Sequence, residues 1–125
     1  MSKKLSIKWL STSKDANYDA AISYLRLIYD PMKVLDLINR LKKEEIVEFQ
    51  AKDILRASGL TLLDGTNKTV EKDLNKIKAG ISLSPILLIR DLDHNKVVVA
   101  DGFHRLVACY KFSENITMKC KIVSG

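Results

Sequence analysis

The stretch Val97–Phe112, VVVADGFHRLVACYKF, decides how this chain is read. Three valines and an alanine form a β-branched, apolar run typical of a buried strand. The Asp101-Gly102 pair punctuates it. From Phe103 onward, Leu106, Val107 and Tyr110 recur at helical spacing up to Phe112. A strand therefore passes directly into a helix, with Asp, Gly, His and Arg gathered at the corner.

Such a corner has a chemistry of its own. The first amide N–H groups of a helix lack intrahelical partners, and the helix dipole is positive at that end. Together they favour an anion. Gly102 has no Cβ and permits close approach to the backbone. Arg105 offers a planar fork suited to phosphate oxygens, and His104 a further donor. Asp101 is suited to orienting the histidine, binding a hydroxyl or holding a magnesium ion. A purely structural reading stands beside this one. Asp101 is then the N-cap, accepting from the N–H of His104, Gly102 serves the turn, and Arg105 pairs with a surface carboxylate.

Outward from the corner the remaining elements fall into place. "SPILLIRD" reads as a buried strand, "LDHN" as a turn, and "KVVVA" as a second strand antiparallel to the first. "TMKCKIV" is the last strand. "TVEKDLNKIKAG" is a helix with Thr69 as N-cap, a Val70/Leu74/Ile77 inner stripe and Gly80 as its stop. "LDGTNK" before it is a loop. "IVEF" reads as a short strand and "QAKDILRAS" as a helix ending at Gly59. Nearer the N-terminus, Ala21, Ile22, Leu25, Ile28 and Tyr29 share one helical face. Asp30-Pro31 breaks that helix and opens another, with Leu35, Ile38 and Leu41 as its stripe. These two are expected to pack as an antiparallel pair. "LSIKWL" is a possible strand in a charged lead-in.

The expected fold class is α+β, a small mixed sheet with helices packed around it and a helical pair in front. One domain is expected over residues 1–125, divided into a lead-in and helical pair (1–44) and a core (45–123). With 46% hydrophobic and 29% charged residues, the composition excludes a disordered tail. No apolar run approaches the ~20 residues that span a bilayer, and no secretory signal is visible, so no membrane partner is expected. Two cysteines are too few for a disulfide scaffold, which points to a bacterial-type cytoplasmic protein. The net charge of +6 favours polyanions, among them nucleotides, phosphorylated metabolites and, non-specifically, nucleic acid. Oligomeric state is open at this level.

The run LSPILLIRD…KVVVADGFHRLVACYKF…ITMKCKIV resembles the core of the ParB/sulfiredoxin-like superfamily. The upstream FQAKDILRASGLTLLDG…VEKDLNKIKAG is similar to small stand-alone bacterial ParB-like proteins. The resemblance covers roughly residues 45–123. It implies a nucleotide-phosphate site at Gly102, His104 and Arg105 with Asp101 beside them, and magnesium with ATP, ADP or CTP as the cofactor class. Sulfiredoxins carry a catalytic cysteine where this chain has Phe103, so sulfinic-acid rescue is not expected. The chain ends soon after its last helix and lacks the helix-turn-helix reader of chromosome-partitioning ParB proteins, so sequence-specific DNA binding is not expected either. The free-serine kinases of the superfamily use an Asp-Gly-x-His-Arg turn, which DGFHR matches. A kinase of that kind needs a carboxylate base, for which Glu48 and Asp101 are the candidates.

Other residues carry paired readings. Lys52 and Arg56 are four apart and share a helical face, positioned to converge on an anion; Asp53 between them is an alternative partner for Arg56. Lys68, Lys72 and Lys76 form a basic stripe, read as a solvated face or a polyanion contact. Cys109, Cys120, His94 and His104 lack zinc-site spacing, so no metal ligands are assigned and both cysteines are read as core fillers. His94 is read as an exposed turn residue and Trp9 as packed. Three functions follow: binding of a nucleotide or phosphorylated small molecule, a magnesium-dependent small-molecule phosphotransferase, and a non-catalytic interaction module associated with nucleic acid.

Overall fold

Alternation along the strands places apolar side chains on both faces of one sheet, and helices cover each face. The computed structural model describes residues 6–62 and 67–125. In order come α1 (Asp15–Leu25), α2 (Pro31–Lys43), β1 (Val47–Gln50), α3 (Ala51–Ser58), α4 (Lys68–Lys78), β2 (Ile86–Asp91), β3 (Lys96–Asp101), α5 (Phe103–Phe112) and β4 (Thr117–Ser124). The strands form a four-stranded mixed sheet in the order β1-β4-β2-β3. β1 and β4 are antiparallel, β4 and β2 parallel, and β2 and β3 antiparallel. The molecule is thus a mixed α+β protein, as its pattern of elements predicts.

One face of the sheet presents Ile86, Leu88, Val99, Met118, Cys120 and Ile122 to α3, α4 and α5. The other presents Leu87, Ile89, Val98, Ala100 and Val123 to α1 and α2. β2 is buried on both faces, which explains its unbroken apolar run. α1 packs on β3 and α2 on β4, so the N-terminal helices complete the second core. A lysine sits within that packing: Lys121 Nζ donates to Tyr18 Oη at 3.1 Å and to the Lys42 carbonyl at 3.3 Å.

Several expected boundaries hold for their expected reasons. Asp30 caps α2, accepting from the Lys33 N–H at 3.0 Å, and Pro31 occupies the first turn. Gly59 ends α3 in the left-handed region at φ 67°. Others are corrected. The cap of α4 is Asn67, which accepts from Val70 N–H; Thr69 lies inside the helix. The buried stripe of α2 is Val34, Leu37, Ile38 and Leu41, while Leu35 is 57% exposed. α1 ends at Leu25, ahead of Asp30-Pro31, so Ile28 and Tyr29 lie beyond it; on the helix Ala21 and Leu25 are buried and Ile22 is not. "LSIKWL" forms no strand over its described part, only a parallel bridge from Trp9 to Leu83. Residues 1–5 of the lead-in and 63–66 of the loop lie outside the described residues. Among the described residues no helix is long and apolar enough to cross a membrane.

Candidate functional site at the β3–α5 corner

The β2–β3 register shifts between Leu87 and Leu88, so that Leu88 opposes Val99 while Leu87 opposes Asp101. The extra residue, Ala100, sits just before the corner. A shift of this kind bends the strand and re-aims the residue that follows. Asp101 closes β3, Gly102 stands at the N-cap of α5 with φ 108°, and the helix begins at Phe103. Leu106 N–H donates to the Gly102 carbonyl at 2.9 Å. The N–H groups of Phe103, His104 and Arg105 precede that first bond and have no partner among the described residues.

Two structural expectations change here. Asp101 is not the cap of α5, since no side chain caps that helix. Its Oδ2 instead accepts from Arg105 Nη2 at 2.8 Å, with 13% of the Asp101 and 16% of the Arg105 side chain exposed. Gly102 is required by packing: a Cβ there would lie 2.8 Å from Ile86 Cβ, closer still to Ile86 Cγ2, and 2.9 Å from Arg105 Nη2. Glycine brings the helix start down onto β2, and the close approach it permits is to the core rather than to a ligand.

A cleft of about 190 Å³ opens between this corner and α4. Thr69, Lys72, Asp73 and Lys76 form its α4 wall; Asp101, Gly102, Phe103, His104 and Arg105 form the other. Asp73 is only 7% exposed although it carries a carboxylate. Burial raises its pKa above the ordinary carboxylate value, against the opposing pull of Arg105, Lys76, His104 and Lys72. Arg105 Nε is buried without a hydrogen-bond partner. A second hollow of about 310 Å³ lies on the other side of Phe103 and His104, bounded by Tyr24, Leu60 and Val99. Tyr24 comes from α1, so the N-terminal helical pair reaches the corner as well as completing the core.

The remaining candidates lie elsewhere. Glu48 is on edge strand β1 and pairs with Lys119 across to β4. β1 and β3 are opposite edges of the sheet, three inter-strand steps apart or roughly 14 Å at ~4.8 Å each, so Glu48 does not face the corner as a base. Lys52 stands at the start of α3, where its N–H bonds to the Glu114 carbonyl beyond the far end of α5. Arg56 is exposed and lies 3.8 Å from Asp53, the alternative partner that spacing allowed. Neither lines the corner cleft. In the basic stripe Lys68 and Lys72 are exposed and Lys76 is half-buried; Lys72 and Lys76 also line the cleft, and Lys68 a neighbouring hollow.

Asp73 is the residue that sequence reasoning missed. A signal was present, because Val70, Asp73 and Ile77 are spaced three and four apart and share the buried side of α4. A carboxylate on a core stripe is the informative exception. Cys109 and Cys120 are both buried, as their core reading requires. Burial, with Asp73 adding to it at Cys109, pushes each thiol up to about 12. His94 is exposed, its Nδ1 2.8 Å from Asp91 Oδ2, and Trp9 packs against the core. Among the described residues no group of three or more His, Cys, Asp or Glu side chains is placed to hold a metal ion.

No family model, no curated protein and no solved structure matches this chain.

Proposed function

We propose that the protein binds the phosphate of a nucleotide or other phosphorylated small molecule in the cleft between α4 and the β3–α5 corner. One observation carries this reading: the cleft joins Lys72 and Lys76 with His104 and the start of α5, whose first N–H groups have no partner among the described residues. Lysine ammonium groups and a helix N-terminus are complementary to phosphate oxygens. Arg105 contributes field and shape, with one of its donors already held by Asp101. Asp73, 7% exposed and without a donor among the described residues, lines the same cleft and supports a hollow that receives a ligand. The ParB/sulfiredoxin-like resemblance, carried by the DGFHR motif, points to the same corner.

A phosphotransferase acting on a magnesium nucleotide is the second reading. Glu48 gives it no support, standing at the opposite edge of the sheet, and Asp101 is engaged by Arg105. Asp73 is the carboxylate that faces the cleft and the one through which such a reaction is testable. A nucleic-acid-associated module is the third, and it draws on the net charge of +6 alone. Substitution of Lys72 and Lys76 by alanine tests the leading reading: stabilisation by phosphorylated ligands should be lost, whereas alanine at Lys52 and Arg56 should leave it intact.

A further inference from the structure

Each wall of the corner cleft carries a polar group that no described residue pairs: the Asp73 carboxylate on one side and the buried Arg105 Nε on the other. On the α4 wall, no described residue donates to the Asp73 carboxylate, and it belongs to none of their ion pairs. It is nevertheless 7% exposed, in the stripe that holds Val70 and Ile77. On the α5 wall, Arg105 gives Nη2 to Asp101 and keeps Nε buried with nothing to donate to. Buried polar groups are nearly always paired, and one left unpaired calls for an explanation.

The charged and titratable groups around Asp73 limit what can pair with it. Lys72 and Lys76 come from its own helix, Arg105 and His104 from the first turn of α5, Asp101 from the end of β3, and the Cys109 thiol from further along α5. Four basic side chains already surround the carboxylate, so a further cation is electrostatically disfavoured. A neutral donor is not. The cleft, at about 190 Å³, is smaller than the ~300–1,000 Å³ of usual small-molecule sites. It suits a phosphate with a short chain, and anything larger projects outward.

We infer that Asp73 accepts a hydrogen bond from a hydroxyl of the same ligand whose phosphate sits on Lys72, Lys76 and the start of α5. The cleft thereby selects hydroxylated phosphate monoesters over phosphate esters without the hydroxyl. This rests on the phosphate-site reading above. Burial raises the proton affinity of the Asp73 carboxylate, and the more basic carboxylate is the stronger hydrogen-bond acceptor. A site built to bond a hydroxyl rejects the analogue that lacks it, because its buried acceptor is then left unmet.

Calorimetric titration of the full chain with glycerol 3-phosphate and with n-propyl phosphate tests this directly. Wild type should bind the polyol phosphate more tightly than its hydroxyl-free counterpart by about tenfold or more, the scale of one hydrogen bond to a charged acceptor. In Asp73→Ala that preference should collapse, while n-propyl phosphate binds as well as before or better, a negative charge having left the cleft. Asp73→Asn, which keeps the shape and one acceptor oxygen, should retain part of the preference. Equal binding of the two probes by wild type overturns the inference without need of any variant. So does a preference that survives Asp73→Ala. If wild type binds neither probe, or if Lys72→Ala/Lys76→Ala binds both undiminished, the phosphate site itself is wrong and the inference falls with it.

Discussion

Arg105 Nη2 donates to Asp101 Oδ2 at 2.8 Å, joining the last residue of β3 to the first turn of α5 through two largely buried side chains. The acid and the base that make the corner conspicuous in the sequence therefore neutralise each other. The charge left facing the cleft comes from Lys72 and Lys76, with His104 beside them and Asp73 opposed. Asp101→Asn should release Arg105 toward the cleft and tighten phosphate binding. It should also lower stability, near the low end of the roughly 1.5–3 kcal/mol for a hydrogen bond to a charged group, since the amide oxygen still accepts. Paired titrations and urea melts read both effects. Weaker phosphate binding in a folded Asp101→Asn protein would show that the pair orients Arg105 for the ligand instead of withholding it.

Gly102→Ala tests the packing of the corner. The substitution places a methyl against Ile86 in a backbone at φ 108°, a region L side chains rarely adopt. Steric conflict in a packed core costs ~1–3 kcal/mol and the left-handed conformation ~1–2 more, for a total of about 2–5 kcal/mol. Chemical denaturation measures the loss directly. A variant as stable as wild type would mean that the helix start does not lean on β2 as described.

The two thiols should be silent in the native protein. Cys109 and Cys120 are buried and each is pushed up to about 12, so neither supplies a thiolate near neutral pH. A colorimetric thiol reagent should react with neither in buffer and with both in denaturant. The same shifts set a sign for alkaline stability. In the unfolded chain the thiols ionise near the ordinary cysteine value of 9.0, while in the folded protein they stay protonated to higher pH. Their contribution is complete below pH 9 and is lost as pH rises from there through about 12. Replacing both cysteines by alanine should flatten the stability curve in that window, and an unchanged slope would contradict the assignment.

Local rules made most elements legible. Asp30-Pro31, Gly59 and the unbroken β2 run each carry a mechanism that acts within a few residues. Errors arose where a neighbour distant in sequence decides. Leu35 and Leu37 are equally apolar, and only the docking of α2 on the sheet buries one and exposes the other. Lys72 is exposed and Lys76 half-buried, and helical periodicity cannot say that the start of α5 lies across from them. Glu48 looked available to the corner until the strand order put β1 and β3 on opposite edges. Asp73 was legible in principle, as a charge on an apolar stripe, and its meaning required the cleft.

The central claim is that phosphate is held between α4 and the start of α5. Its most direct test is thermal unfolding of wild type and of Lys72→Ala/Lys76→Ala against a panel of nucleotides and phosphorylated metabolites, with and without magnesium. A ligand at 100 times its dissociation constant adds about 2.7 kcal/mol to stability, a shift easily read in a melt. The account predicts that at least one phosphorylated compound raises the melting temperature of wild type and fails to raise that of the double variant. Equal shifts in both proteins, or none from any compound, would contradict it.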